Sequence, residues 1–560
     1  MDNYAIAENF SLLSKLMDIH GDNSFKAKSY ASAAFAIDKL PVQLATLPAE
    51  KIFLIRGIGD AIGKKIVEQI ETGELSVLNE YLKKTPPGIL EMLSIKGIGP
   101  KKIATIWKDL EIETLGELLY ACNENRLTLY KGFGEKTQKN IKESIEFYFG
   151  SLGRYLFQQI EPYAHILQQK LQESFPADQF MITGEFRRQL EIIDTLEWVT
   201  TTSADALKTF FTNNNFDLLS ETTDYLSFKG KENVTTGFYI STPGQLAGKL
   251  FHSSASKAFI DEWNKQTNSA PQTDYISEEA LFAAASVHFI PPYRREKAGI
   301  ISQAKTSPLD AVIQPSEITG IIHSHSNWSD GVHTIEQMAA AAKEQGLLYL
   351  VISDHSKTAF YANGLNEERI AAQHRQIDEL NTKLAPFKIF RSVESDILTD
   401  GSLDYSDEVL ASFDIIIASI HSNLKMPEEK AMMRLINAIE NPFTSILGHM
   451  TGRLLLSRNG YPVDHKRIID ACAANHVVVE LNAHPRRLDI DWRWIDYALE
   501  KDVLISIDPD AHAIEGFDDC RYGVLVAQKA GLQKTQNLSS FSLEDFEKFV
   551  AVQKAKRTGK

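Results

Sequence analysis

The chain has 560 residues, 43% of them hydrophobic and 24% charged, with 59 Lys+Arg against 74 Asp+Glu for a formal net charge of -15. At about 100–200 residues per domain this length predicts three or four domains, and the apolar fraction excludes disorder as a global description. No apolar run approaches the roughly 18–20 residues of a membrane helix, and Met1-Asp2-Asn3-Tyr4 lacks the basic flank and apolar stretch of a signal peptide, so a cytoplasmic protein without membrane contact is expected.

Residues 1–150 are rich in helix formers and carry one short element three times. The copies are Leu54-Ile55-Arg56-Gly57-Ile58-Gly59 with Ile62 and Lys64-Lys65-Ile66, Ile95-Lys96-Gly97-Ile98-Gly99-Pro100-Lys101-Lys102-Ile103, and Tyr130-Lys131-Gly132-Phe133-Gly134-Glu135-Lys136 with Lys139. A Gly-apolar-Gly turn lets a backbone approach a phosphate, N–H groups at the following helix start point at the anion, and the lysines add attraction that ignores sequence. One copy is matched by any tight helix–helix turn; three in one frame read as helix-hairpin-helix elements that grip a DNA backbone. The acidic net charge is a sum over domains and does not exclude a basic face on one of them.

From about 151 to 300 mixed helix and short β-rich runs such as Phe180-Met181-Ile182-Thr183 and Gly237-Phe238-Tyr239-Ile240 suggest an α+β region. A stretch holding Gly299, Ser307, Pro308 and Pro315 suggests a linker. From Ile318 onward, apolar runs alternate with helical patterns about seven times, the rhythm of βα units around a parallel sheet or barrel.

The residues that end those runs carry chemistry. They are His323 and His325, then Asp354 and His355, Glu394 and Asp396, His421, His449, Glu480, and finally Asp510 with His512. In a βα barrel the C-terminal strand ends share one rim, and His323/His325, like Asp510/His512, are spaced to share a strand face. Asp330 reaches the same rim from the first loop. The three cysteines (Cys122, Cys472, Cys520) form no paired motif, so a metal must use imidazoles and carboxylates, a set that suits Zn, Mn or Fe and exceeds the needs of one ion. Two or three ions and metal-assisted phosphoester hydrolysis are the reading.

At His323-Ser324-His325, Ser353-Asp354-His355-Ser356, Glu394-Ser395-Asp396, Ser419-Ile420-His421, Gly448-His449 and Asp510-Ala511-His512 the chain resembles the PHP (polymerase and histidinol phosphatase) domain. Over nearly its whole length it resembles the bacterial family X DNA polymerases that carry a C-terminal PHP domain. The resemblance implies a trinuclear site in a distorted seven-stranded barrel, with His323, His325, Asp330, His355, Glu394, His421, His449, Asp510 and His512 as ligands. It also implies 3′-5′ exonuclease activity, with abasic-site cleavage as a further possibility. Arg453 and Arg487 could hold phosphates or make structural ion pairs. Lys65 falls where relatives place a Schiff-base lysine, although a solvated helix lysine is the reading preferred here.

Residues 151–300 resemble the palm and thumb of a nucleotidyltransferase, with departures. Relatives follow Gly184 with Ser, where this chain has Glu185, and then carry Asp-x-Asp where it has Thr195 and Glu197; the third carboxylate position is Gly237. Two-metal nucleotidyl transfer needs those carboxylates. Asp194 is three residues from Glu197 and is expected on the opposite face. A carboxylate about 5 Å from a phosphate charge costs roughly 3 kcal/mol at an effective dielectric near 20. The usual Phe-Thr-Gly-Ser-Lys segment is reduced to Phe251-His252-Ser253-Ser254-Ala255-Ser256-Lys257.

The expected architecture is therefore a lyase-type helical domain (1–86), a fingers-like domain with two hairpin elements (87–150), a palm (151–235), a thumb (236–300), a linker (301–317) and a distorted (β/α)7 PHP barrel (318–560). The expected function is a monomeric DNA-repair nuclease acting on gapped, nicked or 3′-ended DNA. It would use two or three Zn, Mn or Fe ions in the PHP site, with an inactive polymerase core and no secure Mg or Mn site there. The alternative is an active family X polymerase that fills gaps in base excision repair and proofreads with its PHP domain. DNA contacts are assigned to Gly57, Gly59, Gly97, Gly99, Lys101, Lys102, Gly132, Gly134 and Lys136.

Overall fold

The computed structural model describes residues 1, 3–38, 40, 42–55, 58–95, 97–150, 153–267 and 274–557. The chain divides into two units, Met1–Cys122 with Leu127–Glu146, and Asn123–Arg126 with Phe147–Lys560.

The first unit is helical. Helix Asn3–His20 buries Ile6, Phe10, Leu13 and Met17, an i, i+4, i+7, i+11 stripe, and Phe10 stacks on Tyr30 of helix Ser24–Asp38 at 5.7 Å between ring centroids. Each glycine element then opens a helix: Gly59 caps Asp60–Thr72, Gly99 caps Pro100–Lys108, and Gly134 precedes Glu135–Gly150. The apolar residue between the glycines (Ile58, Ile98, Phe133) is buried. This pins the turn to the core and leaves the glycines outside it. Gly97 and Gly132 adopt φ of +93° and +95°, the left-handed region that only glycine enters cheaply. Gly57 lies outside the described residues.

The second unit begins with a five-stranded mixed sheet whose strands run in the order Phe180–Thr183, Leu196–Thr200, Thr235–Ile240, Tyr225–Lys229, Asp217–Glu221. Trp198, Phe211, Phe228 and Phe238 fill its core. Helices Leu246–Ser253, Lys257–Gln266 and Glu278–Ala284 follow around Phe251, Phe259, Trp263 and Phe282. The stretch expected to be a linker carries helix Ile300–Thr306 and then lays the buried Ile313 along the barrel. There Ile313 N donates to Leu532 O (2.8 Å) and its carbonyl accepts from Gln528 Nε2 (2.8 Å).

The barrel has seven parallel strands in sequential order: Gly320–Ser324, Tyr349–Ile352, Lys388–Asp396, Ile415–Ser419, Ile446–Leu447, Val478–Asn482 and Ile505–Asp508. Runs such as Ile415-Ile416-Ile417 are apolar on both faces because helices cover one side and the barrel interior the other. Closure comes where Ser324 bridges Ala511, with His325 N donating to Ala511 O (2.8 Å) and Ala511 N to His323 O (3.2 Å). Both bonds flank residues of the expected ligand set, so the seam of the barrel and the edge of the candidate centre are one place. The α+β middle is tied to the barrel through Arg521 Nη1 on Glu161 (2.7 Å), Lys297 on Asp496 (2.5 Å) and Lys529 Nζ, which donates to Arg188 O at 2.7 Å. Lys529 is buried; burial outweighs the pull of Glu296 and Glu191 and lowers its pKa to about 8.

Candidate metal centre

The nine residues that the resemblance implies as ligands, eight at strand ends and Asp330 in the first loop, converge. Glu394, at the end of the third barrel strand, is central. Its Oε1 lies 3.0 Å from His449 Nε2, 3.1 Å from His421 Nε2 and 3.3 Å from His323 Nε2, and its Oε2 lies 2.9 Å from His355 Nδ1. Asp330 lies 3.4 Å from His512 Nε2 and 3.5 Å from His355 Nε2, while Asp510 Oδ1 lies 3.1 Å from His325 Nε2 and 3.3 Å from His323 Nε2. Ligand atoms of His325, Asp330, His355 and His512 fall within 4.8 Å of one another, as do those of His323, His325 and Asp510, and those of His355, Glu394 and His421. The groups share His325 and His355, as adjoining ion sites would.

The way these side chains meet differs from the strand-period expectation. His323 takes φ +59° and the pairing with the second strand shifts register between Ile321 and Ser324, so His323 and His325 do not simply alternate along a pleat. Their rings still meet at 5.3 Å between centroids. Asp510 likewise sits at φ +53°, beyond the end of its strand. Left-handed backbone in non-glycine residues is uncommon and costs of order 1–3 kcal/mol each, and here it occurs at two residues that aim side chains into the centre.

A second layer fixes the rings. Glu480 Oε2 is 2.5 Å from His323 Nδ1 and Asp396 Oδ1 is 2.5 Å from His421 Nδ1, and Thr358 Oγ1 donates to Asp396 (2.8 Å). Each carboxylate holds Nδ1 and thereby turns Nε2 inward. Burial depresses His325 to a pKa of about 3, helped by His512 and His355, which keeps it a neutral imidazole fit to donate a lone pair. At His323 burial works in the same direction but is outweighed by Glu480, Asp510 and Glu394, which raise it. At Glu394 the neighbouring His421, His323 and His355 outweigh burial and hold the carboxyl well below its ordinary value. Buried carboxylates that lean on positive charge, together with His323 Nε2, His325 Nδ1, His512 Nε2 and Glu394 Oε2 buried without hydrogen-bond partners, fit divalent cations.

Several groups at the rim were not singled out in the sequence. Glu124, in the Asn123–Arg126 segment that belongs to this unit, groups with Asp510 and His512, and Arg126 Nε lies 3.4 Å from Asp330. Tyr361 brings a buried hydroxyl to the centre. None stands at a strand end, so the strand-end rule misses them. Of the two arginines considered for phosphates, Arg453 is engaged by Asp491 at 2.5 Å and by the carbonyls of Arg487 and Leu488, a structural pairing. Arg487 is buried with its Nε 3.8 Å from Asp510.

In the helical unit, added Cβ atoms at Gly59, Gly97, Gly99, Gly132 and Gly134 would meet nothing within 4 Å. Gly59, Gly99 and Gly134 have no left-handed φ either, so nothing inside the protein demands glycine at these three. Lys101 is exposed, Lys102 and Lys65 are half-buried, and Lys136 is exposed.

In the palm, Glu197 pairs in register with Gly237, and Tyr239 and Tyr225 hydroxyls donate to its Oε1 at 3.0 and 3.4 Å. Burial raises its pKa. A Cβ at Gly237 would sit 2.2 Å from Tyr225 Oη, so a carboxylate there requires the Tyr225 ring to move away. Thr195 precedes the strand, and Asp194 is exposed and paired with Arg154 at 2.7 Å. Glu185 accepts from Asp194 N (2.8 Å), Arg187 is held by Ser254 and Glu278, and Arg188 by Glu296.

Comparison with known proteins bears on this geometry. Residues 1–75 match the helix-hairpin-helix domain, residues 89–146 the SAM-like helix-hairpin-helix tandem, and residues 322–484 the PHP domain. The "DNA polymerase/3'-5' exonuclease PolX" of Bacillus subtilis (strain 168) is 32% identical over 567 aligned positions, covering 95% of this chain and 96% of that protein. The chain belongs to the bacterial family X DNA polymerases with a C-terminal PHP domain. Its PHP region is also similar to smaller proteins. A "Probable phosphatase" of Caldanaerobacter subterraneus subsp. tengcongensis is 28% identical over 29% of this chain and 60% of its own length, and "Probable phosphatase YcdX" of Escherichia coli O81 is 26% identical over 29% and 62%. Within this family-X chain the helical, palm-like and barrel parts follow in the order expected. No helix among the described residues is long and apolar enough to cross a membrane.

Proposed function

We propose that this protein is a DNA-repair nuclease whose PHP domain hydrolyses phosphodiesters from a 3′ end or at an abasic site, on a polymerase frame that has lost nucleotidyl transfer. The observation that carries the reading is the contrast between two sites on one chain. The barrel centre collects His323, His325, Asp330, His355, Glu394, His421, His449, Asp510 and His512 around buried, unpartnered ring nitrogens. Of the palm positions where the resemblance expects metal carboxylates, Glu197 alone is acidic, and it is capped by two tyrosines and faces Gly237. Divalent ions held by those nine residues would supply an acidified water and compensate charge on the phosphoryl oxygens. The chain's own residues orient and desolvate: Glu480 and Asp396 lock the imidazoles, and Arg487 brings a fixed positive charge beside Asp510. The three glycine turns would hold the DNA backbone without reading its sequence.

Full-length similarity to a polymerase/exonuclease supports the second reading, a working gap-filling polymerase with PHP proofreading. One assay separates them: end-labelled primer-template with Mn²⁺, with and without dNTPs. Shortening without extension is expected, and His323→Ala and Asp510→Ala should each abolish it while DNA binding persists. Template-dependent extension that is lost in Glu197→Ala would refute the inactive palm.

A further inference from the structure

The turn after the second barrel strand presents two consecutive aromatic residues in opposite directions. Tyr361 sends its hydroxyl inward, where it is buried without a hydrogen-bond partner, and its ring lies 6.4 Å from that of His355. Phe360, with its ring 6.0 Å away and inclined at 75°, is 79% exposed. The turn is rigid. Ala362 N and Gly364 N both donate to Ala359 O (3.0 Å each), Leu365 N donates to His355 O (2.9 Å), and Asn363 Nδ2 donates to Trp328 O (3.2 Å). A side chain at Gly364 would strike Ser356 O, with its Cβ at 1.9 Å. A buried hydroxyl left unpaired is costly to folding, and so rigid a turn has no need of a large apolar ring in water. The Tyr361 ring packs against His355 and under Arg126, whose guanidinium lies 5.0 Å from its centroid, but its buried hydroxyl has no hydrogen-bond partner and the Phe360 ring on the adjoining residue stands in solvent.

We propose that Tyr361 donates its hydroxyl hydrogen bond to a phosphoryl oxygen of the scissile phosphate while Phe360 stacks on the adjoining 3′-terminal nucleobase. This rests on the nuclease reading above and adds to it a device that selects a base-bearing end. Stacking on an aromatic ring suits any base, because every base offers a π-face. A charge-assisted bond to phosphate orients the end for attack.

The test uses the full chain and an oligonucleotide carrying 2-aminopurine at its 3′ terminus, in EDTA so that nothing is cleaved. Wild type should quench the terminal fluorophore, Phe360→Ala should lose most of that quenching, and Phe360→Trp should keep it. With Mn²⁺ restored, wild type should prefer an oligonucleotide ending in a base over one ending in a tetrahydrofuran abasic residue by about tenfold in KM, the scale of one base–aromatic stack. Phe360→Ala should erase the preference with kcat retained. Tyr361→Phe should lower kcat about tenfold, as loss of a bond to a charged group does, with metal content and terminal quenching unchanged. Quenching and end preference that survive in Phe360→Ala, or a Tyr361→Phe variant with wild-type kcat, would overturn the proposal while leaving the nuclease reading standing. A wild-type protein that hydrolyses p-nitrophenyl phosphate but no oligonucleotide would remove both.

Discussion

His323 shows how a single side chain is prepared for its task. Its backbone is left-handed, its Nδ1 is held 2.5 Å from Glu480, and its Nε2 faces Glu394 and Asp510 at 3.3 Å. Removing the charge from Glu480 should loosen the ring without touching the ligand atoms. Glu480→Gln is therefore expected to weaken Mn²⁺ or Zn²⁺ binding about 10–100-fold, the usual cost of losing an outer partner, as read by metal titration. Glu197 is the opposite case, a carboxyl buried in a place that suits its neutral form. Tyr239 and Tyr225 donate to it and Arg188 lies near, but burial and Glu185 prevail and its pKa is raised. Below the ordinary glutamate pKa both folded and unfolded states carry the proton. As pH rises past that value the unfolded state ionises first, so stability falls until the folded value is reached. Glu197→Gln should leave the melting temperature unchanged at pH 4 and raise it at pH 8, with nuclease activity intact.

At the level of elements, each glycine turn separates two roles that the repeat Gly-apolar-Gly merges. Gly97 is needed by the backbone, whereas Gly99, a helix cap in open space, is not. Gly97→Ala should destabilise the protein by about 1–2 kcal/mol. Gly99→Asp, a good cap that brings a negative charge, should keep stability within about 0.5 kcal/mol yet weaken DNA binding in a fluorescence anisotropy titration. The repeats and the seven-fold βα rhythm were legible because glycine turns and apolar runs are local signals. Eight of the nine centre residues were legible for a related reason, since strand ends converge in a barrel whatever the details of each pleat, whereas Asp330 reaches the centre from the first loop. What escaped was set by tertiary context. The register shift at His323 depends on closure against Ala511, Tyr361 and Glu124 arrive from segments with no strand to mark them, and the Tyr225 and Tyr239 caps on Glu197 depend on strand pairing. The expected opposition of Asp194 and Glu197 has a simpler basis, because the strand starts at Leu196 and leaves Asp194 outside it.

Within the larger unit, the α+β middle and the barrel are joined by partly exposed ion pairs and by buried contacts. Ile313, well before the first barrel strand, is fully buried against the barrel. Burying such a side chain is worth about 1.5–3 kcal/mol, so a fragment starting at residue 308 should melt roughly 4–8 °C above one starting at residue 318, measured by thermal denaturation of both. Lys529 makes the dependence reciprocal. Its amine is sealed between the barrel and the palm and bonded to the carbonyl of Arg188, one residue from the arginine that Glu278 and Ser254 already occupy. The middle of the chain therefore serves the barrel as a buttress whatever chemistry its own sheet performs, because the buried amine of Lys529 closes on its main chain.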